Sequence, residues 1–112
     1  MISRSQGLKA WLFQRLSAIY IAIFIIIAGL QFVVRPPQSF EQWHGWITSP
    51  VMMIATAIFF WAVLIHAWVG LRDVIIDYVN AFAIRFVLLV LLGLTLAGLG
   101  VWVARILLTG AP

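Results

Sequence analysis

The sequence predicts an all-α integral membrane protein: three helices crossing a bilayer, N-terminus cytoplasmic and C-terminus periplasmic. Three observations predict it. Of 112 residues, 65% are hydrophobic and 9% charged, and the mean hydropathy is +1.15; soluble domains carry roughly 25% charged residues. A water-soluble fold of this size could not enclose so much apolar surface. The apolar residues are gathered into three runs, at approximately 15–34, 51–71 and 84–106, each close to the about 20 residues that span hydrocarbon. The basic residues sit at the ends of these runs. Arg4, Lys9, Arg15, Arg72 and Arg85 fall on one side and Arg35 and Arg105 on the other, five against two, and the richer side is cytoplasmic.

The elements follow in order. The first run is longer than the roughly 7–15 residues of a signal-peptide core, and no A-x-A site follows it, so a retained span is expected. The arm up to and including Arg15 holds three basic residues and no transit-peptide pattern. Arg35-Pro36-Pro37 ends the helix, because proline lacks the N–H and restricts the residue before it. Ser39-Phe40-Glu41-Gln42 has the spacing of a capping box and predicts a short interfacial helix over about 40–47, with Trp43 and Trp46 at headgroup level. Ser49-Pro50 starts the second span, serine as N-cap and proline in the first turn. Small residues let membrane helices approach closely. Gly93, Ala97, Gly100 and Ala104 form one such stripe on the third span, and Ala18, Ala22 and Gly29 one on the first. Ala55, Phe59, Ala62, His66 and Gly70 share a face of the second.

Composition also excludes. The absence of cysteine rules out disulfides and thiolate-held metals or iron–sulfur clusters in this chain. The net charge of +4 and pI near 10.8 reflect membrane orientation, not nucleic-acid binding. No nucleophile–base pair and no phosphate loop is present. The length allows one domain, residues 1–112.

His66 is the residue that asks for a function, since an ionisable ring in an apolar span is costly and marks a site. It lies six residues before Arg72, about 9 Å along the helix from the inner boundary, with Arg15 at the same level. The residue alone leaves three readings open. It could hydrogen-bond a serine, threonine or carbonyl of a neighbouring helix, worth roughly 0.6–2 kcal/mol. It could relay protons, as in a small transporter subunit, though other buried polar groups are scarce. Or it could be an axial ligand to haem iron. The other histidine, His44, falls near the opposite face, so a bis-histidine haem would need a second ligand from another chain. Arg15 is either an interfacial anchor or a partner for a haem propionate, and Lys9 is a weaker version of the same idea. Tyr78 is either an aromatic-belt residue or a donor to a quinone carbonyl. Asp77 beside it is a turn residue, or one that orients a basic group or feeds protons. Arg72 and Asp73 form a surface pair of little worth.

Two segments carry a resemblance. Gln14-Arg15-Leu16-Ser17-Ala18 opens the first span, and His66-Ala67-Trp68-Val69-Gly70-Leu71-Arg72-Asp73-Val74-Ile75-Ile76-Asp77-Tyr78 closes the second. The latter follows the pattern H-x-x-x-G-x-x-D/Q-V-x-x-D-Y. With the length and three-span layout, the chain resembles the small hydrophobic membrane-anchor subunit of succinate dehydrogenase, complex II. The resemblance implies a non-catalytic anchor in a multi-pass bacterial inner-membrane complex of electron transport and the tricarboxylic acid cycle. Its partners would be a second anchor (cytochrome b) subunit, an iron–sulfur subunit, a flavoprotein subunit and the phospholipid bilayer, with no nucleic acid. It implies haem b shared between the two anchors, with His66 as one axial ligand to the iron and Arg15 at a propionate. It implies ubiquinone as substrate, held by Tyr78 with Asp77 near, and FAD and iron–sulfur clusters in the partner subunits only. Rival readings are the anchor of a quinol:fumarate reductase, running the chemistry in reverse, and a haem-free assembly or interaction protein.

Overall fold

A computed structural model describes the backbone of residues 4–110 and the side chains of residues 7–110; the Arg4 side chain, counted above among the inner charges, lies outside the described residues. The order is α1 (Arg4–Val34), α2 (Phe40–Ile47), α3 (Pro50–Tyr78) and α4 (Phe82–Thr109), with no strand among the described residues. Three of these helices are long and apolar enough to cross a membrane: α1 from Gly7 onward, α3 and α4. The molecule measures 52 × 27 × 20 Å, longer than the 40–45 Å of a bilayer with its headgroups.

All three long helices outrun the apolar runs that predict them. α1 starts at Arg4, before the run that opens near Arg15, and α3 continues past Leu71 through Arg72 and Asp73 to Tyr78. Hydropathy marks where a helix leaves hydrocarbon. It does not mark where the backbone stops being helical, because polar residues at the interface keep the i→i−4 ladder.

The connections are built from local polar contacts. The Ser39 side chain accepts from the Gln42 N–H at 3.2 Å, the first half of the capping box. The second half is displaced by one residue: Gln42 Oε1 accepts from the N–H of Gln38 at 2.8 Å, because the Pro36-Pro37 turn brings that amide nearer. Pro50 is in the first turn of α3 as expected, but Ser49 makes no side-chain cap. Its hydroxyl donates instead to the Trp46 carbonyl at 2.7 Å, so it serves the end of α2. Trp46 meets Phe32 edge-on at 5.1 Å, fixing α2 to the end of α1. Between α3 and α4, Arg85 Nε donates to the Val79 carbonyl at 3.0 Å, satisfying an acceptor that the end of α3 would leave open.

α3 is the central helix. It packs against both α1 and α4, while α1 and α4 do not approach one another. The three spans form an open layer, not a closed bundle. Among the described residues only Ser17, Thr56, Ala62 and Val69 are buried, and residues such as Ile19, Ile26, Leu94 and Val101 face outward. In water that surface would drive aggregation; in lipid it is the expected exterior.

The α1–α3 seam runs antiparallel. Gln14 lies against Gly70, with Nε2 3.4 Å from where a Cβ would sit. Ser17 meets His66, and Phe24 stacks on Phe59 with centroids 4.3 Å apart. The Tyr20 hydroxyl donates to the Ala55 carbonyl at 2.7 Å. The predicted face of α3 is therefore the face that meets α1. The face of α1 is different. Gln14, Ser17, Tyr20 and Phe24 contact α3, whereas Gly29 has nothing near it and Ala22 is exposed. Small size permits close approach on any side, but the polar and aromatic groups of α1 find partners only on α3.

On α4 the stripe is half right. Gly93 lies against Trp68, and a Cβ at Gly100 would come within 3.1 Å of Leu64 Cδ1, while Ala97 and Ala104 are exposed. A Gly100→Ile substitution is expected to prise α4 from α3 and cost about 1–3 kcal/mol. Thermal unfolding of the protein in detergent reads this out; an unchanged midpoint would contradict the close approach.

Candidate functional site

The candidate site lies at the end of the layer that carries the start of α1 and the end of α3. Its centre is a three-member chain across the seam. Ser17, buried at 8% exposure, donates its hydroxyl proton to the Gln14 carbonyl one turn back at 3.0 Å. Ser17 Oγ also lies 3.3 Å from His66 Nδ1. A hydroxyl has one proton and two lone pairs. With the proton directed to Gln14, the oxygen can accept from Nδ1–H of the ring, the tautomer that would leave a lone pair on Nε2. Nε2 makes no hydrogen bond among the described residues. The serine contact is the one expected of a merely structural histidine. It is equally what a ligating histidine needs, because the hydrogen bond at one ring nitrogen fixes the tautomer and frees the other.

Beside this chain an open groove of about 830 Å³ runs between α1 and α3, walled by Lys9, Trp11, Gln14, Trp68 and Arg72 among others. Gln14 Oε1, on its wall, is buried with no donor. Arg72 is tied to the neighbouring Asp73 carboxylate at 3.2 Å, both partly exposed, an arrangement of little energetic weight. Asp73 lines the groove too and offsets Arg72, which leaves Lys9 as the cation unpaired among the described residues, beside two indoles.

Arg15 is placed otherwise. It is exposed, and its guanidinium lies over the Trp11 ring, 5.7 Å from the centroid. Residues two apart on a helix do not share a face, so Arg15 and Ser17 diverge and Arg15 does not meet His66 within the chain. It has no carboxylate partner among the described residues. Asp77 and Tyr78 form the last two positions of α3 and are exposed, Tyr78 at 80%. No hydrogen bond engages the Tyr78 hydroxyl among the described residues. Twelve residues separate it from His66, about 18 Å along the helix, so the two cannot touch one small ligand. They can serve two ligands at one end of the layer.

His44 is remote. It lies in α2 and packs on Gly110 at the end of α4, where a Cβ would fall 2.7 Å from its Nε2. His66 is sixteen residues beyond Pro50, about 24 Å along α3. No group of three or more metal-ligating side chains exists among the described residues. A single imidazole with an open nitrogen fits one axial position on a haem and no self-sufficient metal site.

Ser17 and Gln14 stand in the site although the sequence assigns them no role. The signal was there: a hydroxyl in an apolar run, one turn inside the same boundary as His66. It acquires meaning only once the antiparallel register sets residue 17 opposite residue 66.

The chain matches the Succinate dehydrogenase/Fumarate reductase transmembrane subunit family over residues 1–111. It is also similar to the succinate dehydrogenase hydrophobic membrane anchor subunit of Coxiella burnetii (strain RSA 493 / Nine Mile phase I), 33% identical over 109 residues that cover 96% of this chain and 95% of that one.

Proposed function

The chain belongs to the succinate dehydrogenase/fumarate reductase transmembrane subunit family, and from that premise we propose that it anchors a succinate:ubiquinone oxidoreductase in the bacterial inner membrane, holds haem b jointly with a second anchor subunit, and builds part of the quinone site. The observation that carries the haem reading is His66, with Nδ1 engaged by Ser17 and Nε2 without a hydrogen-bond partner among the described residues. When bound, the haem supplies a one-electron redox centre within the membrane. This chain's part is to present one imidazole in a fixed orientation, held at Nδ1 by Ser17. A second histidine for the iron would come from the other anchor, since His44 is out of reach.

Arg15 and Lys9 supply cations at the level where propionates would lie. Arg15 must turn from Trp11 to reach one, exchanging a cation–π contact of about 0.5–1 kcal/mol for a charge-assisted hydrogen bond of about 1.5–3 kcal/mol. Tyr78 offers its free hydroxyl to a quinone carbonyl. Asp77 sits beside it as the local source of protons for the reduced oxygen. Electrons come from the iron–sulfur subunit, docked with the flavoprotein subunit on the cytoplasmic face.

The test is purification through a tag on this chain. The flavoprotein, iron–sulfur and second anchor subunits should co-purify, and succinate should reduce ubiquinone. Recovery of this chain without redox subunits would contradict the reading. An Arg15→Ala variant should assemble and release haem to a haem-scavenging protein roughly tenfold faster. An unchanged release rate would leave Arg15 as an interfacial anchor only.

A further inference from the structure

We propose that Ser17 is the positioning residue of the His66 ligand: its hydroxyl, locked by the Gln14 carbonyl, selects the Nδ1–H tautomer, sets the ring plane and tunes the basicity of Nε2. The proposal rests on the haem reading above. Three observations carry it. The Ser17 proton has a nearer acceptor in Gln14, at 3.0 Å, than in His66, at 3.3 Å, so the oxygen faces the ring with lone pairs. Ser17 is more than nine-tenths buried, so water does not compete for either bond, and in an apolar surround hydrogen bonds in series polarise one another. The two helices are also held in register on either side of the contact, by Gln14 against Gly70 and by Phe24 on Phe59. The oxygen therefore cannot drift from the ring by a slide of α1.

The role of a hydrogen bond at the distal nitrogen of a metal-bound histidine is general. It orients the ring, raises the basicity of the ligating nitrogen, and its loss typically lowers metal affinity by roughly 10–100-fold. In most such sites the acceptor is a carboxylate or a backbone carbonyl. A carboxylate in hydrocarbon is costly. A serine that passes its own proton to the second lone pair of a carbonyl in the preceding turn is a neutral acceptor that avoids that cost. A more basic imidazole favours ferric iron, so losing the bond should raise the haem midpoint potential.

The experiment uses the intact complex with Ser17→Ala, Ser17→Thr and Ser17→Val, and His66→Ala beside them. Readouts are haem content, release to a haem-scavenging protein, midpoint potential and the electron paramagnetic resonance of the ferric haem, which reports ring orientation. Ser17→Ala should release haem at least tenfold faster, with a higher potential and a broadened ferric signal; Ser17→Thr should behave as wild type. If the alanine variant does not assemble, threonine against valine carries the same contrast, since they differ by a hydroxyl at nearly constant shape. Wild-type potential, release and resonance in Ser17→Ala or Ser17→Val would overturn the role of Ser17 while leaving the ligand reading intact. A wild-type complex without haem, or haem unaffected in His66→Ala, would overturn the ligand reading and this inference with it.

Discussion

Replacing His66 by alanine should strip haem from the assembled complex. On the proposed reading the ring is this chain's bond to the iron, and no other described side chain can replace it: His44 lies on α2, beyond the Pro50 end of α3 that is itself about 24 Å along the helix from His66, and no group of three or more ligating side chains exists among the described residues. Loss of an outer partner of a metal ligand costs roughly 10–100-fold in affinity, and loss of the ligand itself should cost more. Haem content should fall by over about tenfold, with the remainder five-coordinate or adventitious. A histidine that only tied α1 to α3 would behave differently. Its loss would cost one interhelical hydrogen bond, roughly 0.6–2 kcal/mol, seen as a lower unfolding midpoint with no change in visible absorption. Pyridine haemochrome assay and thermal unfolding of the same preparation separate the two outcomes.

Tyr78→Phe should impair quinone reduction without harming assembly. The side chain is 80% exposed and packs on no other ring among the described residues, so removing one oxygen leaves the fold untouched. On the proposed reading, what it removes is a donor that would stabilise charge on a quinone oxygen as it is reduced. A donor of that kind is worth about 10²–10³ in rate where charge develops fully, and about tenfold where the bond serves binding alone. Succinate-driven ubiquinone reduction is expected to drop by at least about tenfold. Succinate oxidation by a soluble dye that accepts electrons from the flavoprotein or iron–sulfur subunits should be unchanged. Normal ubiquinone reduction in the variant would remove Tyr78 from the site and return it to the aromatic belt. Asp77→Asn, tested alongside, should slow turnover while sparing quinone binding if the carboxylate delivers protons.

The fold was legible where lipid dictates it. Each apolar run must be helical, because hydrocarbon leaves backbone groups no other partner, and Pro36-Pro37, Ser39 and Pro50 stop and start helices by local chemistry. The helix ends were legible only approximately. The apolar run closes at Leu71 and the helix is expected to continue a few residues into the interface, with Asp77 and Tyr78 at its inner end or in the following turn; α3 runs to Tyr78, since a charge that leaves the membrane does not leave the helix. Pairing was legible on α3 and illegible on α1. Ala55, Phe59, Ala62, His66 and Gly70 form the contact face, but Ala22 and Gly29 do not answer it. Choosing among the sides of an apolar helix needs the partner's pattern, and Ser17, Tyr20 and Phe24 reveal theirs only when set against His66, Ala55 and Phe59.

The site shows the same division. His66 is conspicuous because burying it is costly, and Tyr78 stands out through the pattern that follows His66. Ser17 is inconspicuous because a serine in a membrane helix usually bonds its own backbone, as this one also does through Gln14. Its second contact depends on tertiary register. Arg15 was placed at the right level but on another side of α1, a distinction that depth alone does not make.

The most direct test of the central claim, that this chain supplies half of a shared haem site, is the reduced-minus-oxidised visible spectrum of the complex purified through this chain, with haem counted against the anchor. The account predicts a b-type spectrum and one haem per copy of the chain. An assembled complex with no haem absorption would contradict it.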